Sequence, residues 1–174
     1  MENRSSRLTA CNKLPIVLLG AALLFVSCSQ EQEGVQPTDA MLTEALELAQ
    51  QGERPEIDSW EMQTTERGVR FAVLAEGSGN RPFYGDEVRA HYYVWLPDGT
   101  LVDSTRPDGV PTPYETELGN RRSIAGWDEL FLQLEEGAKA VAVVPWELAY
   151  GRNGRGAIPG RTDITFYVEL LRVR

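Results

Sequence analysis

A glycine-rich segment near the carboxyl end of the chain carries residue types that could bind a phosphate group. The segment is ELAYGRNGRGAIPG, residues 147–160, and it combines glycines and arginines with one aromatic residue, Tyr150. Phosphate-binding loops lead from a strand into a helix, often with a GK[ST] sequence. This segment has no GK[ST] sequence, and a strand-like run follows it. The pattern therefore disfavours a phosphate site, and its surroundings must explain the loop.

Metal and thiol chemistry find little support in the sequence. The chain has one histidine, His91, and two cysteines, Cys11 and Cys28. Metal sites in proteins usually combine several histidine, cysteine or carboxylate ligands at short spacings, and no such cluster surrounds His91. We therefore expect neither a metal nor another cofactor, and we interpret His91 as a surface side chain on the outer face of its strand.

The first residues have the pattern of an export signal. Residues 1–13 are mostly basic or polar, and LPIVLLGAALLFV, residues 14–26, is apolar and too short to span a bilayer comfortably. With Ser27 and Cys28 it resembles a bacterial lipoprotein signal, which implies removal of residues 1–27 and lipidation of Cys28. The alternatives are a plain secretory signal and a retained anchor. The resemblance implies a lipid-anchored protein of the bacterial cell envelope, on the outer membrane facing the periplasm.

The overall charge excludes one class of partner. The formal net charge is −9 and the isoelectric point is about 4.7. Nucleic-acid binding needs a clustered basic surface, so we expect no nucleic-acid partner. We expect such acidity to favour solubility and to keep the domain off anionic lipid head groups, so that the acyl chains implied by the signal resemblance would supply the attachment.

A tether and a short helix precede the main domain. Residues 29–37 are polar and acidic, which is typical of a flexible tether. Thr38 can cap a helix that begins at Asp39, and apolar residues recur at helical spacing until Gly52. We interpret this acidic helix as a weakly docked spacer, with packing on the domain or self-association as the alternatives. The predicted organisation is a signal peptide over 1–27, the lipidated cysteine, tether and helix over 28–59, and one domain over 60–174.

Alternating hydrophobicity predicts strands along most of that domain. Residues 60–76 indicate two short strands, and VRAHYYVWL, residues 88–96, alternates between an apolar face containing Tyr92 and an outer face containing His91. A turn at PDGT leads to a shorter strand, LVDST. A short extended piece, YETELG, comes next. Residues 138–145 and 163–173 are strongly strand-like.

One segment in the domain predicts a helix. Residues 122–137 place Trp127, Leu130, Phe131 and Leu134 on one side, with Gly137 as the end. Parallel winding would need several helices. The sequence therefore predicts an α+β fold in which a short helix covers one face of an antiparallel sheet.

Five motifs in order resemble the FKBP-type peptidyl-prolyl cis–trans isomerases over residues 69–173. They are GDEVRAHYYVWLPDGTLVDST, ELG, SIAGWDELFLQLEEGAKAVAVVP, LAYGRNGRGAIPG and ITFYVELLRV. Their combined order is more specific than any single short motif. The resemblance implies a half-barrel sheet wrapped on one short helix, with an apolar pocket between them.

The same resemblance implies a set of site residues. Trp127 would form the pocket floor, and Tyr150 and the Ile124 backbone N–H would donate hydrogen bonds to substrate carbonyls. Asp103 would lie at the rim beside the Tyr92 hydroxyl, and residues 151–160 would form a flap over the pocket. The implied catalytic group is Tyr92, Asp103, Trp127, Tyr150 and Phe166, and the implied substrate-binding group is Val102, Tyr114, Ile124 and Ile158.

The implied function is isomerisation of X–Pro bonds in exported proteins, which needs no cofactor. The partners would be proline-containing polypeptides and, through the N-terminal lipid, a membrane, and the protein would be a monomer. Val102 stands where the family usually has phenylalanine, which widens the pocket. The alternative is therefore a non-catalytic module or chaperone of the same fold that binds proline segments. A structural envelope lipoprotein acting through the helix at 39–51 is a third hypothesis.

Overall fold

The computed structural model describes residues 35–106 and 112–174. The predicted signal peptide, Cys28 and most of the tether lie outside the described residues. The elements in chain order are α1 (Asp39–Gln50), β1 (Gln63–Thr64), β2 (Arg70–Ala75), β3 (Glu87–Trp95), β4 (Leu101–Ser104), β5 (Tyr114–Glu117), α2 (Ala125–Phe131), β6 (Lys139–Val144), a 3₁₀ turn (Trp146–Leu148) and β7 (Ile164–Val173).

The strands form one antiparallel sheet in the order β1-β2-β6-β7-β3-β4. The long strand β3 is central, because β7 pairs along one of its edges and two short strands share the other. β5 pairs with residues 87–90 and β4 with residues 93–95. The α+β fold predicted from the sequence is confirmed. Since β4 and β5 meet on one edge of β3, Asp103 and Tyr114 both come close to Tyr92.

The inner face of the sheet packs against α2. Ile164, Phe166, Val168 and Leu170 of β7 are all at most 1% exposed, as the alternation predicted. Trp127, Leu130, Phe131 and Leu134 join them in one buried cluster. Burial of large apolar side chains such as these stabilises the fold by about 1.5–3 kcal/mol each.

The predicted helix at 122–137 is correct in place but wrong in length. The helix α2 ends at Phe131, and the next residues form tight turns in which Gln133 N–H donates to the Leu130 carbonyl and Leu134 N–H to that of Phe131. Those turns keep Leu134 in the core. Leu134 therefore continues the helical spacing of buried apolar residues although it lies beyond the end of the helix. Gly137 follows with φ 96°, the left-handed region that favours glycine.

The outer face of the sheet is covered as well, which contradicts two predictions. Helix α1 belongs to the same compact unit as the sheet, and its Ala45 and Ala49 are buried at 2% and 0% exposed. It is therefore no weakly docked spacer. Trp95, on the face that we expected to be outer, is 0% exposed, and its indole N–H donates to the Gly52 carbonyl at 2.9 Å.

His91 is the second correction, since it is 6% exposed rather than a surface side chain. Its Nδ1 lies 3.0 Å from the Thr105 hydroxyl, which also accepts the Tyr92 backbone N–H at 2.9 Å. Burial is the main cause that lowers the pKa of His91, and the positive charge of Arg106 adds to it. The outer face therefore contains a buried polar contact directly behind Tyr92.

The start of α1 agrees with the sequence. Thr38 is the N-cap, and its hydroxyl accepts the backbone N–H of Met41 at 3.4 Å. The helix ends at Gln50, and Gly52 follows with φ 83°. Within residues 35–106 and 112–174, no helix is long and apolar enough to cross a membrane.

Candidate active site

An open pocket of about 670 Å³ lies between α2, the inner face of the sheet and the loop after the 3₁₀ turn. Pockets for small ligands commonly enclose about 300–1,000 Å³. All of the pocket residues named from the sequence line it: Tyr92, Val102, Asp103, Tyr114, Ile124, Trp127, Tyr150, Ile158 and Phe166. They come from six separate segments of the chain, which the fold brings together.

Trp127 forms the floor of the pocket. It lies in the first turn of α2, and its side chain is 5% exposed. Its ring packs edge-on against four other aromatic rings, a geometry that suits the charge distribution of aromatic rings. Centroid distances are 4.9 Å to Tyr92, 5.3 Å to Tyr114, 5.3 Å to Phe131 and 5.6 Å to Phe166. The floor is therefore held rigidly from both the sheet and the helix.

The indole N–H of Trp127 is a buried polar group. Within the described part of the chain it donates to no acceptor. Buried polar groups without a partner cost folding free energy, so they are uncommon. The donor atom itself lies beneath the surface of the pocket floor.

Tyr92 and Asp103 form a hydrogen-bonded pair at the pocket rim. The Tyr92 hydroxyl donates to Asp103 Oδ2 at 2.9 Å, and Asp103 Oδ1 accepts the backbone N–H of Ser104 at 2.8 Å. Burial, followed by the hydrogen bond to Asp103, raises the pKa of Tyr92 above its usual range. Tyr92 thus stays a neutral donor, and the Asp103 carboxylate fixes its orientation.

Tyr150 lines the pocket where the 3₁₀ turn passes into the flap (residues 151–160). The flap is closed by paired backbone bonds between Arg155 and Ile158 at 2.9 and 3.0 Å, and by Arg161 N–H to the Gly151 carbonyl at 2.9 Å. Gly154 has φ 69°, and a side chain there would meet the Ile158 carbonyl. No helix follows this loop, since residues 164–173 form β7. The geometry is that of a flap over a pocket and not of a phosphate loop.

The electrostatics of Tyr150 keep its hydroxyl protonated. Burial raises the pKa of Tyr150, and the nearby Asp103 carboxylate raises it further, while the positive charge of Arg155 opposes both. The hydroxyl is therefore a hydrogen-bond donor at neutral pH, directed from a partly buried ring that lines the pocket.

Ile124 marks the entrance to α2. It is the N-cap residue, with an extended backbone of φ −70° and ψ 147°, and its carbonyl accepts the Trp127 N–H at 3.0 Å. Its side chain lines the wall, together with the partly buried Val102 from β4 and Tyr114 from β5. The wall is therefore apolar on the sides that adjoin the floor.

Further charged residues line the pocket, and of these only the flap arginine Arg155 was expected from the sequence. Arg121 and Arg122, in the connection from β5 to α2, and Arg155, in the flap, lie at its edge with Glu147. The basic composition of the flap was visible in the sequence, but the position of Arg121 and Arg122 was not. Within residues 35–106 and 112–174, no group of three histidine, cysteine or carboxylate side chains could hold a metal ion.

Comparisons with known proteins identify the fold and the family. The family profile described as FKBP-type peptidyl-prolyl cis-trans isomerase matches residues 79–171, which is more than half of the chain. The FKBP-type 22 kDa peptidyl-prolyl cis-trans isomerase of Escherichia coli K12 is 34% identical over 139 residues, covering 79% of this chain and 64% of that relative. The FK506-binding protein of Neisseria meningitidis serogroup B is 40% identical over 107 residues, covering 61% of this chain and 96% of that relative.

Solved structures agree with the sequence comparisons. The crystal structure of FkpA from Escherichia coli superimposes with a TM-score of 0.61 at 30% identity, covering 78% of this chain and 63% of that one. The residues matched by the family profile, 79–171, include β3, α2 and the flap, all of which line the pocket described above. The chain therefore belongs to the family of FKBP-type peptidyl-prolyl cis–trans isomerases.

Proposed function

We propose that the pocket binds the proline ring of an X–Pro segment against Trp127 and accelerates rotation about the preceding peptide bond. The observation that supports this most is an open cavity with a rigid aromatic floor and a neutral hydroxyl donor, Tyr150, at its side. Family membership supplies the reaction, peptidyl-prolyl isomerisation. The roles of the individual residues are our inference.

The chemistry follows from the electronic structure of the amide. Resonance gives the peptide bond a rotational barrier of about 18–20 kcal/mol, and X–Pro bonds exchange over tens to hundreds of seconds. In the twisted transition state this resonance is lost and the amide becomes less dipolar. The aromatic base of the pocket, with Trp127 and Phe166, would favour the twisted amide over the planar one, which water solvates better. Each 1.4 kcal/mol of this preference accelerates the reaction about tenfold.

The hydrogen-bond donors then hold the substrate while the bond turns. The Tyr150 hydroxyl and the backbone N–H of Ile124 would each bind a carbonyl of the flanking chain, since both residues line the pocket. Tyr92, Phe166, Tyr114, Val102 and Ile158 would supply the apolar wall, and Asp103 would hold Tyr92 in place. No nucleophile, metal or cofactor is required.

An isomerisation assay on a short X–Pro peptide tests the function. The full chain should raise the isomerisation rate, and Trp127→Leu should lower kcat/KM at least tenfold because the floor is lost. Phe83→Leu is the matched control, since that aromatic ring is 71% exposed and lies outside the pocket. If the full chain suppressed aggregation of unfolded proteins but left isomerisation unchanged, the non-catalytic module would be the correct function.

We further propose that Cys28 is lipidated and that the protein is a monomer anchored in the bacterial cell envelope, acting on exported proteins. The apolar run at 14–26 followed by Ser27 and Cys28 supports this. Cells fed labelled palmitate should label the full chain, and Cys28→Ser should abolish the label while Cys11→Ser should not. Labelling that persists in Cys28→Ser would exclude the proposed attachment site.

A further inference from the structure

The mouth of the pocket carries a positive charge that the rest of the chain does not share. The whole chain has a net charge of −9, yet three of the five charged residues that line the pocket are arginines. Arg121 and Arg122 approach from the α2 side and Arg155 from the flap side. The two acidic residues are Asp103 and Glu147.

These three arginines are not neutralised by carboxylates. Five other arginines of the described residues form ion pairs with carboxylates: Arg54, Arg67, Arg81, Arg89 and Arg106. Within residues 35–106 and 112–174, no ion pair involves Arg121, Arg122 or Arg155. Both carboxylate oxygens of Asp103 already accept hydrogen bonds, from the Tyr92 hydroxyl and from the Ser104 N–H.

The arginines also stand beside the two groups proposed to hold the substrate backbone. Arg121 and Arg122 precede Ile124 by three and two residues, and Arg155 follows Tyr150 along the flap. The positive charge of Arg155 acts on the Tyr150 hydroxyl itself. A chain held by Ile124 and Tyr150 therefore lies in the pocket that these three arginines also line, with the side chains that flank its proline near positive charge.

We propose that this pocket selects proline segments flanked by acidic residues, with Arg121, Arg122 and Arg155 as the residues that determine the specificity. This inference rests on the proposed isomerase function and adds the substrate class. Charge complementarity of this kind raises association rates and discriminates against lysine-rich segments by repulsion. The arginines act on the choice of substrate, while the apolar floor acts on the rotating bond.

The test compares peptides that differ only in charge beside the proline. One pair carries Glu or Gln immediately before proline, and the second pair carries Glu or Gln immediately after it. For the full chain at low salt, we expect the Glu member of at least one pair to have a kcat/KM about three- to tenfold higher, since exposed ion pairs contribute modestly and more than one arginine is in reach. In about 1 M salt, where the screening length is about 3 Å, the ratio should approach one.

Variants assign the effect to the arginines. Arg121→Gln/Arg122→Gln and Arg155→Gln should each reduce the Glu-to-Gln ratio of kcat/KM, and the triple variant should bring it close to one. The matched control is Arg70→Gln/Arg172→Gln, which removes the same charge from exposed arginines outside the pocket and should keep the ratio. A ratio of one for both peptide pairs in the unmodified chain would overturn the inference and leave the isomerase function intact. Absence of catalysis on every peptide would overturn both.

Discussion

The close contact between Gly126 and Val144 provides the sharpest test of how the fold positions the pocket floor. Gly126 is buried in α2, directly before Trp127, and a Cβ added there would overlap Cγ1 of Val144 in β6. The helix can therefore approach the sheet this closely only because residue 126 has no side chain. In Gly126→Ala, α2 must move away from β6 and carry Trp127 with it.

The expected magnitudes separate stability from activity. Overpacking a core destabilises it by about 1–3 kcal/mol. The higher helix propensity of alanine relative to glycine offsets up to about 1 kcal/mol of this loss. The free energy of unfolding should therefore fall by about 1–2 kcal/mol. The free energy of unfolding of native domains is about 5–15 kcal/mol, so the variant should stay folded. Because small misplacements of catalytic groups can cost up to about a hundredfold, we expect kcat/KM on an X–Pro peptide to fall at least tenfold.

The rescue experiment uses Val144→Ala in the same background. Removing the two methyl groups that occupy the contact should restore most of the lost kcat/KM, although Val144→Ala alone destabilises the core. Urea unfolding of the two single variants and the double variant should give an interaction energy of about 0.5–3 kcal/mol in favour of the pair. Unchanged kcat/KM in Gly126→Ala, or a double variant no better than the single one, would refute the reasoning.

Three further results are expected. Because the pKa of His91 is lowered in the folded state, the unfolded chain binds more protons than the folded chain between that pKa and about 6.5. The free energy of unfolding, measured by urea titration, should therefore fall as the pH falls through this window, by up to about 1.4 kcal/mol per pH unit. Tyr92→Phe removes the bond to Asp103 and should lower the free energy of unfolding by about 0.5–1.5 kcal/mol, measured the same way. Ala49→Glu forces a charge against the sheet and should cost about 2 kcal/mol or more in urea unfolding, because Ala49 is 0% exposed.

Each of these results has a control. His91→Gln should remove the histidine contribution to the pH dependence, and an unchanged slope in that variant would show that other groups cause it. Ala40→Glu makes the same substitution at an exposed position in the first turn of α1, and it should leave stability nearly unchanged. Equal losses for Ala49→Glu and Ala40→Glu would contradict the docked position of α1. If Tyr92→Phe were as stable as the unmodified chain, the Asp103 bond would contribute nothing to folding.

The strands and the pocket residues could be predicted because their signals are local or ordered along the chain. Alternation placed Ile164, Phe166 and Val168 on one face of β7, and all three are buried there. The resemblance to the FKBP-type isomerases implied that Trp127 and Tyr150 belong to one pocket, and both line it. The position of Thr38 at the start of α1 followed from the short reach of a hydroxyl to backbone N–H groups.

The errors arose where a distant segment changes the environment of a residue. Alternation showed that His91 and Trp95 point away from α2, but not that other segments bury them. Trp95 packs in one cluster with α1, which lies about 40 residues earlier in the chain, and His91 contacts Thr105. Likewise, the apolar spacing to Leu134 is satisfied by tight turns as well as by a longer helix. Arg121 and Arg122 were missed because a loop conformation, with φ 63° at Arg121, brings them to the pocket edge.

By itself, the sequence determines which side chains share a face of a strand or helix, where helix α1 begins and which loop positions need glycine. These properties depend on backbone geometry and on contacts a few residues apart. Only the tertiary structure decides which faces are covered and which charges meet at the pocket. Those outcomes depend on packing between segments far apart in the chain, and the local pattern is the same whether or not a partner segment covers it.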